Sequence, residues 1–148
     1  MLMASPIGPL GPEGAERDSR LNVLFYTRSS DILGSLQTAV ARLAPKVRIE
    51  LHRTLETFSE KLRKLPYNST VAVIIAADRS DLEDIASLQQ LLWGLRTILV
   101  LPDGDDATIA LGHSLRPRLI SRREDDFENV AAVLNKMIED HNSKLKME

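Results

Sequence analysis

Residues 71–77, VAVIIAA, are apolar without interruption, and residues 97–101, TILVL, are nearly so. A strand with one wet face alternates, whereas a strand apolar on both faces has to be covered on both. Neither run is long enough to cross a bilayer. Between them lies SDLEDIASLQQLLWG (80–94), helical in pattern, with Ser80 as the expected N-cap and Gly94 closing the helix. Two doubly covered strands joined through a helix belong in a parallel sheet with helices packed on its faces.

The rest of the chain from residue 21 repeats this alternation. LNVLFYT (21–27) is an apolar and aromatic strand. SSDILGSLQTAVARLAP follows as a helix, with Ser29 or Ser30 as N-cap, Asp31 at its positive start, and Ile32, Leu36, Val40 and Leu43 on one face before Pro45 stops it. VRIELH (47–52) alternates: Val47, Ile49 and Leu51 point one way, Arg48, Glu50 and His52 the other. LETFSEKLRKL (55–65) turns Leu55, Phe58, Leu62 and Leu65 to a core. ATIALGHSL is a short helix, RLIS (118–121) a brief strand, and the last helix carries a stripe of Phe127, Val130, Ala131, Leu134 and Ile138. Strands 1, 3 and 4 are apolar on both faces and therefore central. Strand 2 alternates and strand 5 is short, so they are edges. Among doubly wound orders 2-1-3-4-5 satisfies this. The expected fold is an α/β, doubly wound (βα)5 three-layer sandwich of flavodoxin-like type.

The length of 148 residues suits one domain, and a formal charge of -2 with no basic excess argues against a nucleic-acid partner. With no cysteine, disulfides and thiolate chemistry are excluded. His52, His113 and His141 have no metal-ligand spacing, so neither a metal nor another cofactor is expected. Residues 1–20 hold three of the seven glycines and three of the seven prolines and lack the pattern of a secretory signal, which reads as a disordered N-terminal arm. The folded domain is expected over 21–142, with 143–148 as a C-terminal tail or the start of a linker. A cytoplasmic location and no membrane partner are the expectations.

The plan over residues 21–141, together with TILVLPDGDDA as a fourth strand running into an acidic loop, resembles the receiver domain of response regulators, the CheY-like family. The resemblance implies five groups at the carboxyl ends of the strands: two acids after strand 1 for Mg²⁺, a phosphoacceptor aspartate ending strand 3, a hydroxyl ending strand 4, and a lysine ending strand 5. Here strand 1 ends in Tyr26, Thr27 and Arg28, strand 3 in Ala76 and Ala77 with Asp78 one or two residues late, strand 4 in Pro102, and strand 5 runs into Arg122 and Arg123. A degenerate pocket of Asp78, Thr27, Arg28, Asp103 and Arg122 is what this alignment leaves. Asp78 is expected to cap a turn or pair with Arg79, Arg28 or Arg122.

No glycine-rich phosphate loop and no nucleophile elbow occur. The leading expectation is therefore a non-enzymatic pseudo-receiver, acting as a phosphorylation-independent protein–protein interaction module in a two-component or related pathway. Its partner is another signalling protein or an output domain of the same chain. The resemblance places its contact face, and a possible homodimer, on helix 4, strand 5 and helix 5, through Thr108, Ile109, His113 and Arg118. One alternative is an atypical phosphoacceptor using Asp78 with Asp103. Another is a small-anion or nucleotide sensor at the strand 1/strand 3 crevice, with Arg28, Arg79 and Arg122 converging on the anion. Trp93 is expected to fill the rim of the core.

Overall fold

The computed structural model describes residues 20–29, 34, 38, 41–42, 47–123 and 128–147. Strands β1 (Leu21–Thr27), β2 (Val47–His52), β3 (Thr70–Ile75), β4 (Arg96–Leu101) and β5 (Leu119–Arg122) form one sheet in the order β2-β1-β3-β4-β5. Every pairing is parallel; Val23 lies between Ile49 and Val71, and Val73 opposite Ile98. The order follows from burial. All of β3 and all of β4 except Arg96 are buried, whereas β2 is partly exposed and β5 is four residues long.

Five α-helices have both bounds among the described residues: α1 (Leu55–Lys64), α2 (Arg79–Ala86), α3 (Gln89–Leu92), α4 (Asp106–His113) and α5 (Glu128–Met147). The period of two along each strand divides the core into two layers. On one face Val23, Phe25, Val71, Val73, Ile98 and Val100 meet Val130, Leu134, Met137 and Ile138 of α5. On the other, Leu24, Tyr26, Ile74 and Leu99 meet Phe58 and Leu62 of α1, Leu82 and Ile85 of α2, and Leu92 of α3. Each fully covered Leu, Ile or Phe contributes about 1.5–3 kcal/mol of apolar burial.

Several expectations change at this point. The helix expected over 29–44 lies almost wholly outside the described residues. Of it, Gly34, Thr38, Ala41 and Arg42 are helical, and the Thr38 hydroxyl donates to the Gly34 carbonyl at 3.1 Å. The arm up to residue 19 and Phe127 also lie outside. The single helix expected over 80–94 is two, α2 and α3. It parts at Ser87, whose hydroxyl donates back to the Asp84 carbonyl and offers the backbone an alternative to the helical ladder. The N-cap of α2 is Asp78 and not Ser80. Gly94 ends this region with φ +87°, a conformation glycine adopts without steric cost. Finally, α5 continues to Met147, past residue 142 where the sequence placed the end of the domain.

Gly112 is explained by packing. A Cβ there would stand 2.9 Å from Leu101 Cδ2 and 3.3 Å from Leu99 Cδ2, so its absence lets α4 close onto β4. Trp93 sits half-buried at the rim, as its composition of apolar body and polar tip suits. Its indole N–H donates to the Ser114 carbonyl at 3.1 Å, and the Arg116 guanidinium lies 4.2 Å above the ring.

Candidate functional site

In an open α/β sheet the ligand crevice lies outside the carboxyl ends of the strands, where the strand order reverses. Here that is the space above β1 and β3. Strand β3 delivers Ala76, fully buried and bonded through its N–H to the Val100 carbonyl at 3.0 Å, and then Ala77. Neither offers a nucleophile. Asp78 is exposed and turns its carboxylate onto the start of α2, where Oδ1 accepts from the Asp81 N–H at 2.7 Å. An oxygen acceptor at this position satisfies one of the orphan donors of the first helical turn. Asp78 is thus a helix cap.

The carboxylate that does occupy the crevice belongs to Asp81, which the sequence reading passed over. Asp81 is 0% exposed. Its Oδ1 accepts from the Tyr26 hydroxyl at 2.8 Å, and its Oδ2 accepts from the Ala77 N–H at 2.9 Å. Arg28 Nη1 stands 3.5 Å from Oδ1 at the mouth. Burial, then the hydrogen bond to Asp81, push the Tyr26 phenol far above its ordinary ionisation range. The Asp81 charge in turn raises Arg28. A sequence signal for this was present. Asp78-x-x-Asp81 has the spacing of a capping box, in which the third residue of the helix reaches back to a backbone N–H. Here it reaches one residue further, to Ala77.

The neighbouring loops are joined by arginines. Arg53, after β2, donates through Nε to the Thr27 carbonyl at 3.1 Å and through Nη2 to the Arg28 carbonyl at 3.3 Å. Thr27 itself is buried and accepts from the Ser29 N–H at 3.1 Å. Arg79 donates through Nε to the Thr108 hydroxyl at 3.2 Å and through Nη2 to Asp105 Oδ2 at 3.0 Å. Arg123 donates through Nη1 to the Ala77 carbonyl and through Nη2 to Ser29 Oγ, each at 3.3 Å. The residue that reaches across from β5 is therefore Arg123. Arg122 is exposed and lies against Gly104, where an added Cβ would meet its Nη1 at 2.6 Å.

Asp103 folds onto its own loop, Oδ1 accepting from the Asp105 N–H at 3.0 Å. That N–H first, then the Thr108 hydroxyl, hold its carboxyl below the usual range. Asp78 and Asp103 are each engaged locally. Of the three arginines expected to converge on an anion, Arg28 meets Asp81 and Arg79 meets Asp105. Of the expected contact face, Thr108 is buried, Ile109 is half-buried against the core, and His113 and Arg118 are exposed. Among the described residues no group of three or more acids and histidines is placed to hold a metal ion. None of the helices so described is long and apolar enough to cross a membrane.

Among the described residues the crevice thus contains one buried carboxylate, and both of its oxygens are engaged. An in-line phosphoryl donor would need a free oxygen lone pair, an approach path and a cation to balance the charge. Asp81 is fully buried, and the cation beside it is Arg28.

A five-stranded parallel sheet in this order, covered on both faces, is a doubly wound flavodoxin-like α/β fold. Its particular form is that of the response-regulator receiver, the CheY-like fold, and solved structures show this directly. The signal receiver domain of an HD domain-containing protein from Pseudomonas fluorescens Pf-5 is 17% identical, with a TM-score of 0.65 over 86% of this chain and 93% of that one. A pilus assembly-related protein from Burkholderia pseudomallei K96243 is 19% identical, with a TM-score of 0.60 over 82% of this chain and 91% of that one. A pilus assembly protein (cpaE) from Burkholderia thailandensis E264 is 20% identical, with a TM-score of 0.57 over 80% of this chain and 98% of that one. No protein-family model and no curated protein matches the sequence.

Proposed function

We propose that this chain is a receiver-like signalling domain that works without phosphorylation, as an interaction module for another signalling protein or for an output domain joined to it. The observation that carries this reading is Asp81. Among the described residues the buried carboxylate of the crevice comes from α2, not from the end of β3, and its oxygens are held by Tyr26 and Ala77. Pro102 stands where the receiver resemblance asks for a hydroxyl and fixes its own φ, so a phosphoryl group would find no switch to pull. A ligand without differential affinity for a second state shifts nothing. The domain holds one conformation, and its output follows partner concentration. Two of the similar solved structures belong to proteins named for pilus assembly and others to receivers, and an interaction module can serve in either setting.

Binding runs through the α4–β5–α5 side, where His113 and Arg118 are exposed, and a homodimer through that side is one form it takes. Adding Mg²⁺ with beryllofluoride or acetyl phosphate should leave the amide NMR spectrum unchanged. Large shifts clustered at Asp78, Pro102 and Arg122, lost in Asp78→Asn, would instead establish an active phosphoacceptor. Once a partner is in hand, Arg118→Glu should weaken association while Asp78→Ala leaves it intact. The opposite pattern in folded protein would return the function to the crevice.

A further inference from the structure

The opposite end of the sheet carries a groove of about 580 Å³, lined by Tyr67, Asn68, Gly94, Arg96, Arg118, Asp140 and Ser143. The turn before β3, the turn before β4, the start of β5 and the end of α5 meet there. Two guanidiniums share the space. Arg96 is half-buried and uses Nη2 to donate to the Asn68 carbonyl at 3.2 Å. Arg118 is exposed, and among the described residues its guanidinium has no hydrogen bond or ion pair. Burial, then the like charge of Arg118, lower the Arg96 pKa, and Asp140 acts the other way. Yet Asp140 closes an ion pair to neither arginine among the described residues. Tyr67 fixes its ring at the edge by donating its hydroxyl to the Leu91 carbonyl at 2.7 Å, with Gly94 beneath the ring.

We propose that this groove binds a small anion, a phosphate- or carboxylate-bearing molecule, between the Arg96 and Arg118 guanidiniums. The planar guanidinium fork matches both oxyanions in bidentate geometry. The volume suits a small organic molecule. Like charges that repel in the free protein are relieved when an anion sits between them. The Tyr67 ring offers a flat surface for an attached base or ring. The site is at the amino ends of the strands, so it is separate from the crevice; it shares Arg118 with the contact side proposed above, and the titration below needs no partner protein.

The test is an NMR titration of the full chain with inorganic phosphate, a nucleoside monophosphate and succinate in separate arms, up to 10 times a millimolar-range dissociation constant, on the order of −4 kcal/mol. Binding of at least one probe should shift the amides of Tyr67, Asn68, Gly94 and Ser143. Arg118→Ala, at an exposed side chain, should leave the fold intact and weaken binding about tenfold or more. Asp140→Asn should tighten it. Preference for the monophosphate over inorganic phosphate, lost in Tyr67→Leu, would assign the ring contact. No shift with any probe overturns the proposal, as do shifts that Arg118→Ala does not reduce, shifts confined to the crevice, or a response only to an acidic peptide.

Discussion

The two ends of the sheet handle arginine differently. At the carboxyl end Arg28, Arg53, Arg79 and Arg123 are each directed at an oxygen of another loop: the Asp81 carboxylate, the Thr27 carbonyl, Asp105 and the Ala77 carbonyl. At the amino end Arg96 gives only Nη2 to the Asn68 carbonyl, Arg118 gives its guanidinium to nothing among the described residues, and the described acid of their groove, Asp140, pairs with neither. A guanidinium whose donors are filled from within acts as a brace between loops. One whose donors are unfilled is available to something from outside. In this fold the braces stand where a receiver would be expected to do its chemistry, and the available guanidinium, Arg118, stands where it would not.

The sharpest way to break this contrast is Asp81→Ala. It strands the buried Tyr26 hydroxyl and the part-buried Ala77 N–H, each at about 1–3 kcal/mol or less. Urea denaturation should therefore show a loss of about 2–5 kcal/mol, and a loss below about 1 kcal/mol would mean the carboxyl end is not held through this residue. Tyr26→Phe should come next, at about 1–3 kcal/mol, with a distinctive pH dependence. The folded-state pKa of Tyr26 is raised above its ordinary value of 10.0. Its contribution is then full below that value and is lost as pH rises toward the folded pKa. Wild type should lose stability above about pH 10, and Tyr26→Phe should flatten that alkaline limb.

Asp78→Ala is a smaller perturbation. Loss of a helix N-cap costs about 1 kcal/mol, whereas Asp78→Asn, which caps as well, should be close to neutral in thermal unfolding. If Asp78→Asn matches Asp78→Ala in cost, the charge rather than the cap is at work. The smallest effect belongs to the other end. Arg118→Ala should change stability by no more than about 0.5 kcal/mol, since nothing described leans on its guanidinium. A larger loss would make Arg118 a brace and erase the difference between the two ends.

How far these features could be read in advance depended on the range of the interaction. The sheet order was legible because β3 is apolar on both faces and β2 alternates, and burial along a strand is a local pattern. Asp78 as a turn-capping residue was legible for the same reason. The reach of Asp81 back to the helix start had a local signal in its spacing from Asp78, but its bond to Tyr26 did not, because Tyr26 lies 55 residues away in sequence. Both residue types read innocently where they stand, one as the first turn of a helix and the other as the end of a strand. Arg123, one residue past the Arg122 named for the pocket, reaches Ala77 and Ser29, as expected where successive side chains leave a strand on opposite faces. Thr108 was placed on the contact face by the resemblance, and a helix of eight residues with glycine inside has too weak a period to correct it; Thr108 is buried, its hydroxyl accepting from Arg79 Nε.

The chain has one tryptophan, and its surroundings make it a reporter. Trp93 is the residue before Gly94, which lines the groove, and its ring is stacked under a charged guanidinium from the loop that leads into Arg118. Indole emission depends on the field of nearby charges. An anion settling beside Arg118 would change that field and shift the spectrum without any label. The same protein, unmodified, can thus announce occupancy of the groove by the colour of its own fluorescence.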